Sequence, residues 1–196
     1  QIVENYNPYH EELRRLNNVK IGETAIDMVP QERKHGVSIA FSQDTGLSSF
    51  ITDVERHYSN ADVVSFSFDH EKARMDKGDI KKKDIIFNYR YAGGDVTVYE
   101  VTGKQLKEYM NWSADYFDTI QPGDTEYRYN AERKKSKYVT FDIFGRVQYQ
   151  IDLRKPSGEK IVDLKLADGT PVTDDMKIKL GMNYYRFGQL TKKGGI

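Results

Sequence analysis

The residues best placed to do chemistry in this chain are aromatic. Tyr89 and Tyr91 flank Arg90 in NYRYAGG at residues 88–94, and Tyr184 and Tyr185 precede Arg186 in NYYRFG at residues 183–188. Each pair has an asparagine in front, Asn88 or Asn183, and a glycine behind, Gly93 or Gly188, where the backbone can bend close to a ligand. Two such rings facing across a cleft would hold a flat molecule such as a nucleobase on both faces. Base stacking is worth ~1–3 kcal/mol per base and tolerates different bases. The amide of Asn88 or Asn183 would then read a base edge. Cross-strand packing of tyrosines produces the same pattern without any ligand.

Other chemistries find little support. The four histidines, His10, His35, His57 and His70, show no H-x-H, H-E-x-x-H or D-x-H spacing. Asp69 and His70 in FDHEK are adjacent as an acid–base pair or as a charge pair on a surface loop. There is no G-x-S-x-G elbow for a serine nucleophile, and the Gly-Gly pairs at 93–94 and 194–195 match neither a P-loop nor a dinucleotide fingerprint. Carboxylates are plentiful, but spacing brings no pair together. Zero cysteines exclude disulfides and thiolate chemistry.

The balance of 30 basic and 30 acidic side chains argues against a nucleic-acid polymer as partner, because that interaction needs a basic stripe. KKK at 81–83 and RKK at 133–135 read as solvated loop charges. No apolar run approaches the roughly 18 residues of a membrane span. The chain starts with Gln1 rather than Met, as a piece of a longer protein would. The 14 tyrosines among 196 residues suit half-buried sheets and binding surfaces alike.

The elements that must carry these residues follow from periodicity. Asn7 and Pro8 mark the start of a lead-in helix with Tyr9, Leu13 and Leu16 on one face. VKIGETAIDM reads as a strand. A second helix is capped by Asp44 or Thr45 and buries Leu47, Phe50, Ile51 and Val54. ADVVSFSF is a strand, DHEKARMDKGDIKKK a charged connection, and DIIFNYRY a returning strand that ends at the first tyrosine pair. DVTVYEV leads into the strongest helix, GKQLKEYMNWSADYF, with Thr102 and Gln105 spaced as a capping box. QPGDTEYRYNAERKKSK is a loop. YVTFDI, VQYQIDL, KIVDLKL and MKIKLGMNYY form a β meander, with Tyr184 and Tyr185 at the end of its last strand. The fold class is α+β, with mixed or antiparallel sheets and a few helices. Periodicity predicts a lead-in helix within residues 1–18 and the domain proper over residues 19–196.

The run ADVVSFSF…KGDIKKKDI…YRYAGGDVTVYEVTGKQLKEYMNWSADYF resembles the C-terminal domain of bacterial 5'-nucleotidases and 2',3'-cyclic-nucleotide phosphodiesterases. VQYQIDLRKPSGEKIVDLKLADGTPV followed by LGMNYYRFG is similar to its second half, so the likeness extends from about Gly22 to Gly188. The nearest likeness is to the multifunctional cell-surface enzymes of Gram-positive bacteria. The resemblance implies a substrate-recognition domain that clamps a nucleoside between two rings. It also implies a separate N-terminal metallophosphoesterase domain, which carries two divalent metal ions and performs the hydrolysis. The D-x-H, G-N-H-D/E and G-H-x-H motifs of that domain are not in this sequence, so this chain on its own is expected to be inactive. Residues 1–18 would be the inter-domain connector, and the location extracellular or on the cell surface.

By the same resemblance the first ring falls on Tyr91 and the second on Tyr185, with Tyr184 as a one-residue alternative; Asn183 and Arg186 shape the pocket. Where many relatives carry an asparagine two residues after the first ring, this chain has Gly93. Their Gly-Gly-Gly-Ile-Arg run is FDHEK plus Ala73 and Arg74 here, so Lys72 or Arg74 stands in for its arginine. The segment after the second ring is shortened to RFGQL. These departures favour the phosphodiesterase-like branch over 5'-monophosphate recognition. A surface module that binds a partner or glycan, or a self-sufficient hydrolase, are the other functions compatible with the residues.

Overall fold

The computed structural model describes residues 2–68, 70–89, 94–135 and 140–192. The chain opens with α1 (Ile2–Asn17), β1 (Lys20–Thr24), the short pair β2 (Arg33–Lys34) and β3 (Val37–Ser38), α2 (Ile39–Ser42) and α3 (Gly46–Ser59). The middle comprises β4 (Val63–Ser67), β5 (Gly78–Lys81), α4 (Lys82–Asn88), β6 (Val96–Thr102), α5 (Gly103–Ala114) and α6 (Ala131–Lys135). The end comprises β7 (Asp142–Gly145), β8 (Val147–Ile151), β9 (Ile161–Leu166), β10 (Lys177–Asn183) and α7 (Tyr184–Thr191). This is an α+β fold, more helical than periodicity implies.

A mixed four-stranded sheet in the order β6-β10-β4-β7 forms the centre. β10 pairs antiparallel with β6 and parallel with β4, and β4 pairs antiparallel with β7. The meander expected of the last third is therefore not consecutive. β7 and β10 join the central sheet separately, while β8 and β9 form their own hairpin. Val63 and Val64, on opposite faces of β4, are both buried, as an interior strand covered on both faces requires, while β10 buries Ile178, Leu180 and Met182 on one face and exposes Lys177 and Lys179 on the other.

α3 covers one face of the sheet and α5 the other. Gly145 of β7 makes the α3 contact possible: a Cβ there would meet the Thr52 Cβ at 2.3 Å. Small hydroxyl residues, Ser48 and Thr52, therefore take the buried face of α3, and Phe50 and Val54, expected inside, stand 43% and 40% exposed. On the opposite face Leu106, Tyr109 and Met110 of α5 join the core cluster that holds Leu180 and Met182.

Local signals decide the helix starts. Thr45 caps α3, its hydroxyl accepting the Ser48 N–H at 3.2 Å. Thr102 and Gln105 close the expected capping box on α5, at 3.2 and 2.9 Å. α1 begins at Ile2 and carries Pro8 in its interior, and Asn7 donates its side-chain amide to Glu11 instead of capping. The charged connection before residue 84 contains β5, paired antiparallel with β1.

Of the segment DIIFNYRY expected as a strand, residues 84–88 belong to a helix, α4, and Tyr89 is its C-cap. Asp84 accepts the Lys81 N–H at 2.7 Å and so satisfies one of the donors that a helix start leaves open. That contact outweighs the strand preference of Ile85 and Ile86, which is weak against context.

Candidate functional site

β10 runs to Asn183, which pairs with Val96 at the start of β6, and the chain then turns directly into α7. Asn183 is the N-cap of that helix: its Oδ1 accepts the Tyr185 N–H at 2.8 Å. Its Nδ2 donates to the Tyr89 hydroxyl at 3.2 Å. The Tyr184 N–H reaches the carbonyl of Asp95 at 3.4 Å. Tyr89 caps the C-terminal end of α4, and Asp95 immediately precedes β6. Both ends of the segment that carries the first predicted ring are thus tied to the start of α7. Tyr91 itself lies outside the described residues, as do Arg90 and Gly93.

Tyr184 and Tyr185 do not end a strand. They open α7 and stand 69% and 73% exposed, so cross-strand packing does not describe them. Tyr89 is half-buried, a support rather than an open ring.

One predicted ligand contact, Asn88, is corrected by its hydrogen bonds. Asn88 is 2% exposed. Its Oδ1 accepts the Arg74 N–H at 2.9 Å, and its Nδ2 donates to the carbonyls of Arg74 at 2.7 Å and Asp84 at 2.8 Å. An amide engaged at both ends in this way fastens the 70–77 loop to the end of α4 and has no edge left for a base. Asn183 uses one bond at each end of its amide to join the two halves of the site.

Arg186 is a buried anchor. Its Nη1 donates to Gln189 Oε1 at 2.6 Å, and its Nη2 to Asp142 Oδ1 at 2.9 Å and to the Thr140 hydroxyl. Its side chain is 13% exposed and that of Asp142 only 1%. Asp142 Oδ2 also accepts from the Tyr109 hydroxyl at 2.6 Å. Burial, followed by the Asp142 charge, pushes the Tyr109 phenol well above its ordinary range. Sequence reasoning missed Asp142, whose signal was an acid inside the apolar run TFDIF.

Arg74 is exposed, and its guanidinium lies 5.4 Å from the Phe87 ring centroid, beside the end of α4. His70 packs edge-on against the same ring at 4.7 Å. The His70 Nδ1 accepts the Lys72 N–H at 3.2 Å, which shapes the loop. Its suggested partner Asp69 lies outside the described residues. Among the described residues, no three His, Asp or Glu side chains come together to hold a metal ion.

Residues 20–192 match the family described as 5'-nucleotidase, C-terminal domain. The chain belongs to this family. A 2',3'-cyclic-nucleotide 2'-phosphodiesterase/3'-nucleotidase from Haemophilus influenzae is 27% identical over 57% of this chain and 19% of its own length. A Staphylococcus aureus protein assigned as a 5'-nucleotidase and solved with alpha-ketoglutarate superposes with a TM-score of 0.80 at 23% identity. That match covers 93% of this chain and 34% of that one. A 5'-nucleotidase precursor from Thermus thermophilus gives 0.66 at 17% identity, covering 95% of this chain and 33% of that one. The chain thus spans about a third of the solved relatives and about a fifth of the curated one. The two structures share its fold. Among the described residues, no helix is long and apolar enough to cross a membrane.

Proposed function

We propose that this domain binds the nucleoside part of a 2',3'-cyclic nucleotide or nucleoside monophosphate for a metallophosphoesterase. Tyr185 supplies one stacking ring and Tyr91 the other, with Tyr184 beside them. Asn183 and Arg186 position α7, and Arg74 stands at the rim near Phe87. The observation that carries this reading is the Asn183–Tyr89 hydrogen bond. It joins the end of α4, two residues before Tyr91, to the cap of the helix that exposes Tyr185. Two rings on such segments can close on a flat base. The name of the Haemophilus influenzae relative supports the substrate class.

In this reading hydrolysis belongs to a second, metal-bearing domain. α1, which precedes the family match and exposes Tyr6, Tyr9, Leu13 and Leu16, is the connection to it.

Titration calorimetry of the 196-residue chain with adenosine and 3'-AMP tests the proposal. Binding is expected in the wild type, and replacing Tyr91 and Tyr185 together by alanine should weaken it by about tenfold or more, the loss of one or two stacking contacts. Undiminished binding in the double variant would falsify the clamp.

A further inference from the structure

We propose that Asp142 and Tyr109 are positioning residues for the exposed tyrosine pair, fixing the first turn of α7 through Arg186. The inference rests on the reading that this pair faces the ligand. α7 has eight residues, too few for a helix to hold itself in water. Its apolar attachments are Leu190, which is buried, and Phe187, the last residue of the first turn, which stacks on Tyr99 at 3.6 Å between centroids. Tyr184 and Tyr185, which open that turn, stand in solvent. Between these rings and Phe187, the Arg186 guanidinium ties the turn to the core by directional bonds.

The partner of that guanidinium is itself held from several sides. The Ser113 hydroxyl accepts the Asp142 N–H and donates to the Asp142 carbonyl, each at 2.9 Å. The Tyr109 hydroxyl binds Asp142 Oδ2 and lies 3.2 Å from the Ser65 hydroxyl. A polar chain therefore runs from β4 through α5 and β7 into the first turn of α7. A buried ion pair is a poor way to gain stability, since an apolar replacement of similar volume often does as well. Directional bonds do provide orientation. Each residue of an α-helix is turned about 100° from the last, so a modest rotation of α7 about its axis carries the Tyr185 ring off a bound base. The Arg186–Asp142 bond resists that rotation.

Trp112 gives a spectroscopic readout. It is the single tryptophan, and the Arg186 guanidinium lies 5.6 Å from its ring. Asp142→Asn keeps the shape of the side chain and removes its charge. The expected result is a folded chain with shifted Trp112 emission and adenosine affinity weakened about tenfold, the loss typical of a strong contact. In a Tyr185→Ala background, read by NMR titration at millimolar nucleoside, the same substitution should change affinity by less than about twofold, because both act through one ring.

Unchanged affinity in folded Asp142→Asn overturns the proposal. So does an equal loss in both backgrounds, which would mark a general structural role. If Asp142→Asn does not fold, Tyr109→Phe decides by the same criteria, with a loss of about threefold expected for one hydrogen bond and no loss overturning it. Full binding in Tyr185→Ala alone would overturn the reading of the site itself. Weak binding there, with full binding in Asp142→Asn, overturns only the anchor.

Discussion

The side chain of Asn183 spans two segments: its oxygen caps Tyr185 and its nitrogen reaches the Tyr89 hydroxyl. The cap and the link are separable by substitution. Asn183→Ser retains a capping oxygen but is too short to reach Tyr89. Asn183→Asp retains the cap and can accept a hydrogen bond donated by the Tyr89 hydroxyl. We expect Asn183→Ser and Tyr89→Phe each to weaken adenosine binding roughly fivefold, about 1 kcal/mol for one hydrogen bond, and Asn183→Asp to bind close to wild type. Calorimetry on the three variants checks this. Equal affinities across the set would mean that the link between α4 and α7 does not matter to the ligand.

Asn88 provides a sharper division between binding and folding. A surface amide that read a base would, on removal, cost affinity and leave stability alone. The buried amide here satisfies both the N–H and the carbonyl of Arg74. Asn88→Ala should therefore lower the unfolding free energy by about 2 kcal/mol or more, because it strands a donor and an acceptor. Urea denaturation reads this directly. Full stability with lost nucleoside binding would restore Asn88 to the site.

How far the sequence carried depends on the reach of each interaction. The cap of α5 was legible because Thr102 and Gln105 are three residues apart, and the strand β4 because VVSFS is a local pattern. α4 was not legible: Ile85 and Ile86 favour a strand, and the helix is decided by the Asp84 cap and by Asn88 reaching back to Arg74, 14 residues away. The order of strands was hidden because β10 chooses β4 and β6, both far from it in the chain. Arg186 read as a pocket residue because its partner Asp142 stands 44 residues earlier and gives no periodic signal. The aromatic pair at 184–185 was legible as a type and a position, but not as the opening of a helix. Its cap, Asn183, lies in the same stretch, where the β-branched and apolar residues of β10 mask the boundary.

Glu55 on α3 predicts a pH dependence unrelated to the ligand. Its Oε2 is buried with no hydrogen-bond partner among the described residues, and burial raises its pKa from an ordinary 4.5 to about 8. The folded chain therefore keeps this proton to about pH 8, while the unfolded chain releases it near 4.5. Between those values the folded state binds more protons than the unfolded state, so this group's contribution to stability falls as pH rises. The slope is at most ~1.4 kcal/mol per pH unit for one proton, and it levels off above the folded pKa. Glu55→Gln removes the titrating group and keeps the shape. Its stability relative to wild type should thus improve steadily from about pH 5 to about 8 and then stay constant, and this difference cancels the titration of every other group. Urea melts of both proteins at each pH unit measure it. A difference that does not change with pH would show that Glu55 ionises normally in the folded chain.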